Sequence, residues 1–414
     1  MTRPLDGVRI IDLSNMLMAP YTSQILGDLG ADVIKLEPPE GDPVRLIGPS
    51  RNRGMGALFL NCNRSKRSVV LDLKQKEAQA AALDMIATAD VLLYNRRPQV
   101  MARLGLSYEA VRARNPRIIY AGLFGYGQTG PYAHKPAFDD LIQGAVAIPS
   151  LAAQANDDGQ PRYAPTAIVD RGVALWAVAQ INAALYHQAR TGEGQRVDMP
   201  MFEMMASFVL GDHLQGATFE PAIGPTGYSR LIARDRRPYR TSDGYICVVA
   251  YTDRHWQSLM RGLGRERELI EDQRYASITS RTENINALYA DLAKVLLTRT
   301  TEEWLDFFDE ADIPAMPLNT TDTLIEDPHL RSVGFFSLEQ HPTEGTIRRM
   351  NYPAYWSATQ PAPSRPAPLL GEHSLEVLRE VGVDQARVDA LKASGALGVR
   401  AAPAAGDEVE GPIP

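Results

Sequence analysis

The sequence predicts an α/β fold, with a large domain built on a largely parallel, doubly wound sheet and a smaller α+β domain beside it. Three observations predict this. Short apolar runs alternate with helical segments up to residue 125, the texture changes after about 225, and a proline-rich stretch at 351–371 precedes a last helix.

Residues 8–14 (VRIIDLS) read as a buried strand, 19–29 as a helix opened by Ala19-Pro20, and 32–37 (DVIKLE) as a second strand. The alternation continues through VVLDL at 69–73, a helix over 76–88, VLLYN at 91–95 and RIIYAGLFG at 117–125. In such sheets, ligands sit at the carboxyl ends of the strands. A long helix over 171–190 carries Val173, Trp176, Ala177, Ile181, Ala184 and Leu185 on one side, and Thr191-Gly192 ends it. Beyond 225, YRTSDGYICVVAY at 239–251 reads as strand, turn and strand, followed by helices to about 311. Pro353, Pro361, Pro363, Pro366 and Pro368 mark an extended strap, and one helix follows at 374–394. The expected boundaries are 1–210 for the first part of the large domain, 225–330 for the small domain, 331–400 for the return strap and closing helix, and 401–414 for a disordered tail.

Composition narrows the function. With 43 Lys+Arg against 50 Asp+Glu the formal charge is −7, so no global positive field draws the protein to nucleic acid, and an anionic ligand must be held by local groups. Two cysteines, Cys62 and Cys247, give neither a disulfide framework nor a CxxC pair, and the histidines show no HExxH spacing, so a metal site has no support. The first residues lack an apolar signal-peptide core, and no stretch approaches ~20 uninterrupted apolar residues. A cytoplasmic protein without membrane contact is the expectation.

Gly125-Tyr126-Gly127-Gln128-Thr129-Gly130 matches GxGxxG, but Pro131-Tyr132 does not open a helix and the first βα unit has no glycine after its strand. The better reading is a sharp turn that carries 131–139 to the top of the sheet. Asp170 stands just before the long helix, where aspartate commonly serves as an N-cap; the same helix end would stabilise a carboxylate able to attack a carbonyl. Both readings stay open on position alone. Arg64, Lys66 and Arg67 before one strand, and Arg96-Arg97 after another, read either as a solvated rim or as counter-charges for phosphate. His134, His213 and His255 have no partner carboxylate by spacing, so surface or packing roles suit them.

Several ordered segments carry a family resemblance: PLDGVRIIDLS at 4–14, LGADVIKLEPPEGD at 29–42, NRSKRSVVLDLK at 63–74, GYGQTGPY at 125–132, RTGEGQRVDMPMFE at 190–203, TSDGYICV at 241–248, DIPAMPLNTTDTLIEDPHL at 312–330 and LLGEHSLEVL at 369–378. Together they resemble the class III CoA-transferases, the CaiB/BaiF type, which include formyl-CoA:oxalate CoA-transferase and, as a divergent branch, α-methylacyl-CoA racemase. The resemblance implies a Rossmann-like large domain, an interlocked homodimer, and transfer of CoA from an acyl-CoA to a carboxylic acid with no cofactor. It makes Asp170 the covalent nucleophile, passing through an aspartyl mixed anhydride and an aspartyl-CoA thioester. It places CoA at Asn15, Met16, Leu71, Asp72, Leu73, Lys74, Asn95, Arg96, Arg97, Arg103, Lys135, Pro136, Ala137 and Phe138.

Three departures bear on substrate. Leu17 replaces a glutamine of the oxalate enzyme, Pro38 replaces a basic residue, and no glycine-rich loop lies between 211 and 244, so oxalate and formate are poor candidates. An apolar wall of Met16, Leu17, Met18 and Phe138 suggests succinyl-CoA as donor and a medium-sized organic acid as acceptor. The rivals are racemase chemistry, which needs a histidine base where Phe138 stands, and a CoA-binding protein without catalysis.

Overall fold

The computed structural model describes residues 2–398; the tail expected at 401–414 lies outside the described residues. The chain divides into two units. The first comprises residues up to Ile142, Ala167–Met205 and everything from Pro328, and the second comprises Gln143–Thr166 and Ala206–Asp327. The segment 143–166 thus belongs to the second unit, although it falls within the stretch 1–210 expected to be wholly in the large domain.

The first unit holds a mixed sheet of β1 (Arg9–Leu13), β2 (Asp32–Glu37), β3 (Lys66–Leu71), β4 (Val91–Tyr94), β5 (Ile119–Phe124) and β6 (Arg196–Pro200). In the second unit come β7 (Tyr239–Arg240), β8 (Tyr245–Val248) and β9 (Ala315–Pro317), and in the first again the hairpin β10 (Phe336–His341) and β11 (Gly345–Met350) and the edge strand β12 (Leu397–Gly398). The large sheet runs β12-β3-β2-β1-β4-β5-β6. All its pairs are parallel except β12 with β3.

Strands covered on both faces read as continuous apolar runs, which is why β1, β2, β4 and β5 stand out in the sequence. The helix Lys76–Ala87 buries Ala78, Ala81, Ala82, Met85 and Ile86 at helical spacing, packed into a core with Ile11, Ile34, Leu92 and Tyr94. In the second unit, antiparallel β7-β8-β9 and its helices enclose Trp256, Leu288, Leu292, Trp304 and Phe308.

The long helix spans Ile168–Thr191 and ends at Gly192, whose φ of +79° is the left-handed stop that glycine adopts freely. It buries Val169, Val173, Ala177, Ile181 and Leu185, of which the valines, isoleucine and leucine each contribute about 1.5–3 kcal/mol. Trp176, expected on that buried side, is instead exposed. By length and composition this helix could cross a membrane. Counting uninterrupted apolar residues passes over it because Asp170, Arg171, Gln180 and His187 break the run. Here it packs against the helix Met18–Asp28 as part of a core.

The closing segment is two helices rather than one, Ser374–Glu380 and Gln385–Ala393, parted by Gly382 at a φ of +80°. Leu397 and Gly398 then pair antiparallel with Leu71 and Val70, so β12 covers the β3 edge.

Candidate active site

The order of the large sheet turns at β1: β2 and β3 lie to one side, β4, β5 and β6 to the other. In open α/β sheets, the crevice at the carboxyl ends beside such a turn is where ligands bind. The loops after β1, β4 and β5 meet there around a cavity of about 260 Å³, lined by Asn15 to Met18, by Asn95, and by Leu123 to Gly125. Ala137, Phe138, Asp139, Asp170 and Met201 complete the lining.

Gly125 sets how closely the return segment approaches. A Cβ there would lie 2.1 Å from the Ala137 Cβ, so only glycine lets Ala137 and Phe138 close over the strand end. The GxGxxG segment therefore acts as a turn. Gly127 donates its N–H to Glu203 Oε1 at 2.8 Å, which fixes that turn, and no helix follows at once.

Asp170 is not the N-cap. The helix starts two residues before it, at Ile168, and Ala167 provides no side-chain cap. The missing acceptor comes from Asp139, whose Oδ1 takes the Asp170 N–H at 2.8 Å. Two carboxylates are thereby held in one cavity. Burial first, and then the charge of Asp139, push the Asp170 carboxyl up to about 6, with Arg171 opposing. This reverses the expectation that the helix end would dominate. No donor among the described residues hydrogen-bonds the Asp170 carboxylate. Arg171 is engaged elsewhere, 4.2 Å over the Tyr21 ring and 3.5 Å from Cys62 Sγ.

Of the residues expected to hold CoA, Asn15, Met16, Asn95, Ala137 and Phe138 share this cavity with Asp170. The others lie outside its lining. Leu71 and Leu73 are buried in the core, and their backbone is engaged as well: Leu71 pairs with Leu397, the Leu73 N–H donates to the Leu71 carbonyl at 3.0 Å, and the Leu73 carbonyl accepts from Gln79 Nε2 at 2.9 Å. Asp72 caps the turn beyond β3 by accepting from Lys74 N, while the Lys74 side chain is exposed. Arg97 donates to the His134 carbonyl at 3.3 Å. Arg103 and Pro136 are exposed, and Lys135 lies 4.1 Å over the Tyr132 ring. Arg96 is half-buried; burial lowers its pKa, Asp42 partly offsets this, and its Nε has no partner.

The cations of 64–67 are consumed internally. Arg64 pairs with Asp28 at 2.8 Å, Lys66 with Asp12 at 3.1 Å, and Arg67 with Asp32, Glu376 and Glu380. They make neither a solvated rim nor a phosphate cradle. Among the histidines, the His134 side chain is exposed, His213 Nδ1 accepts from Tyr228 N, and His255 Nδ1 accepts from Tyr251 N. Sequence reasoning missed Asp139 as a structural partner, since its tie to Asp170 crosses 31 positions.

Fold and cavity define an α/β protein with an unpaired carboxylate in a recess of mixed polar and apolar lining at its strand ends. The comparisons carry this further. The model of CoA-transferase family III matches residues 5–374, and the chain belongs to that family. It is 32% identical to the succinate–glutarate CoA-transferase of Agrobacterium fabrum, over 91% of this chain and 96% of that protein. A probable fatty acyl-CoA transferase of Mycobacterium tuberculosis is 32% identical over 90% of this chain and 96% of its own. A crystal structure of the mycobacterial protein superposes with a TM-score of 0.78 at 31% identity, covering 90% of this chain and 99% of that one. A CAIB/BAIF family protein from Brucella suis gives a TM-score of 0.77 at 31% identity, covering 92% and 100%. The protein is a CoA-transferase.

Proposed function

We propose that this enzyme moves CoA from an acyl-CoA donor to a carboxylic acid acceptor through covalent intermediates on Asp170. The observation that carries the reading is a largely desolvated carboxylate, at about 6, unpaired in the strand-end cavity. At pH 7 such a group is roughly nine-tenths ionised, so it is a ready nucleophile made more reactive by loss of water.

A carboxylate oxygen of Asp170 attacks the thioester carbonyl carbon. The C–S bond breaks, CoA leaves as thiolate, and an acyl–aspartyl anhydride remains. Thiolate attack on the aspartyl carbonyl releases the donor's carboxylate and leaves an aspartyl-CoA thioester. The acceptor carboxylate then displaces the thiolate, which returns to the acceptor acyl carbon and frees Asp170. Each step conserves the thioester's energy. The oxyanions need backbone donors other than the Asp170 N–H, which Asp139 occupies.

Arg96, with its unpartnered Nε, together with Arg97, Lys74, Arg103 and Lys135, would meet the CoA phosphates. The cavity lining combines Met16, Leu17, Met18 and Phe138 with Asn15 and Asn95 and contains no Lys, Arg or His, so the distal carboxylate of the succinyl group first expected would have to be met by the two amides rather than by a counter-charge. Racemase chemistry lacks its base here: Phe138 fills the position, and His134 is exposed and outside the lining.

The turn of strand order at β1 fits the doubly wound, Rossmann-like reading of the large domain. An interlocked homodimer is part of the proposal. Exposed Leu175, Tyr186 and Tyr355, and a second cavity of about 720 Å³ beside Leu185, Tyr352 and Trp356, present apolar surface that a partner would cover. A cytoplasmic setting suits the free thiols Cys62 and Cys247. The test is hydroxylamine trapping of the acyl-enzyme from a panel of acyl-CoAs, read by mass spectrometry. An adduct on Asp170 that is lost in Asp170→Ala with CoA binding retained supports the reading; acyl exchange that survives Asp170→Ala ends it.

A further inference from the structure

The loop between β1 and the helix Met18–Asp28 supplies one wall of the Asp170 cavity, through Asn15, Met16 and Leu17. Its conformation is unusual. Met16 has a φ of +66°, a left-handed value that a side chain with a Cβ rarely adopts. Such a residue holds its place only when its surroundings over-determine it.

The surroundings do so at three consecutive positions. Asp42 Oδ1 accepts the Met16 N–H at 3.0 Å, and Asp42 Oδ2 lies 2.8 Å from Lys35 Nζ. Lys35 Nζ also donates to the Ser14 carbonyl at 2.9 Å. Between these, the Asn95 side chain takes both backbone groups of Asn15, accepting from its N–H at 3.2 Å and donating to its carbonyl at 2.8 Å. Lys35 is fully buried and Asp42 nearly so. Asp42 is itself fixed: its Oδ1 also accepts from Val44 N at 3.1 Å, and its own N–H donates to Glu37 Oε2 at 3.1 Å.

A buried ion pair is a weak device for stability, because desolvation cancels much of the attraction. One that grips the backbone on both sides of a cavity wall suits a different purpose. We infer that Asp42 and Lys35 are positioning residues for CoA transfer, holding Met16 in its left-handed conformation so that the 14–17 wall keeps its shape beside Asp170. Neither lies in the cavity lining; they act through Ser14 and Met16. The inference rests on the reading that the Asp170 cavity is the site of acyl transfer.

The test uses the full chain and whichever acyl-CoA, from acetyl- through octanoyl- and succinyl-CoA, acylates the wild-type enzyme fastest. The double variant Lys35→Met/Asp42→Leu removes both charges of the pair, so neither member is left buried without the other. It is expected to fold, with kcat for acylation reduced about tenfold or more and KM changed much less. Asp42→Asn keeps an oxygen for the Met16 N–H but sets an amide nitrogen against Lys35 Nζ, so its kcat should fall between those of the double variant and the wild type. Adding Met16→Gly, which reaches a positive φ unaided, should shrink the loss caused by the double variant at least about threefold, in a cycle that cancels the methionine side chain's own effect. If the double variant does not fold, Asp42→Ala set against Asp42→Asn carries the same contrast. A folded variant with wild-type kcat and KM overturns the assignment, as does a loss of equal size with and without the Met16→Gly substitution. If Asp170→Ala leaves exchange intact, the site reading itself has failed; if only the Asp42 and Lys35 variants are silent, the site stands and the positioning role falls.

Discussion

Two groups of buried carboxylates in the first unit are treated in opposite ways. Beneath the β1–β3 ends, Asp12 faces Lys66 at 3.1 Å, Glu37 faces Arg45 at 2.7 Å and Asp42 faces Lys35 at 2.8 Å. Burial alone would raise the pKa of Asp12, but Lys66 and Lys35 outweigh it and hold the carboxyl below its usual range. Glu37 is lowered in the same way, with Arg45 overcoming burial. A few residues along the same strand ends, Asp170 has no such cation. Burial and Asp139 act together there, and its carboxyl rises to about 6. Similar desolvation thus yields an inert scaffold where counter-charge is supplied, and a reactive group where it is withheld.

The largest expected break in this contrast is Asp170→Ala, which should lower acyl exchange about a thousandfold or more while equilibrium dialysis still shows CoA binding. On the paired side, Asp12→Ala leaves Lys66, already pushed down to about 8 by burial, with its carboxylate partner gone. Urea unfolding should show a loss of about 3–5 kcal/mol, whereas Asp12→Leu combined with Lys66→Met should restore most of it.

The unpaired side predicts the reverse sign. The folded Asp170 carboxyl sits at about 6, above its reference of 3.8, so between these values the folded state binds more protons than the unfolded. The wild type therefore loses stability as pH rises from about 4 to 6, and the full cost, up to about 3 kcal/mol, is present above that window. Asp170→Asn should be more stable than wild type by up to that amount at pH 8 and no more stable below about pH 4, as measured by urea unfolding across pH. A variant less stable at pH 8 would contradict the origin given for the shift.

Smaller still is the effect of Asp139→Asn, which keeps an oxygen for the Asp170 N–H but removes the like charge. The acid limb of kcat/KM, expected near pH 6 in the wild type, should move down by about half a unit to one unit. An unmoved limb would leave burial alone as the cause.

Much of the sheet was legible in the sequence because parallel strands covered on both faces are written as apolar runs. The failures share one cause. β3 begins at Lys66, three residues before the expected start, because Lys66 and Arg67 are strand residues neutralised by Asp12, Asp32, Glu376 and Glu380 from distant positions. β6 is largely exposed and carries Arg196 and Asp198, so it shows no apolar run at all. At the site, position and resemblance found Asp170, but its helix starts earlier than expected because Asp139, not a neighbour in sequence, completes the first turn. Local pattern reports local preference; charges satisfied across the fold leave no local mark.

The edge strand β12 has a colloidal consequence. β3 is buried along all six of its residues, and Leu397 and Gly398 cover part of its outer hydrogen-bonding edge. A chain stopped at Ser394 would bare that edge, a flat and strongly β-forming template for pairing with a second molecule. Two residues near the end of the described chain thus help to keep the protein in solution, in a role separate from anything at Asp170.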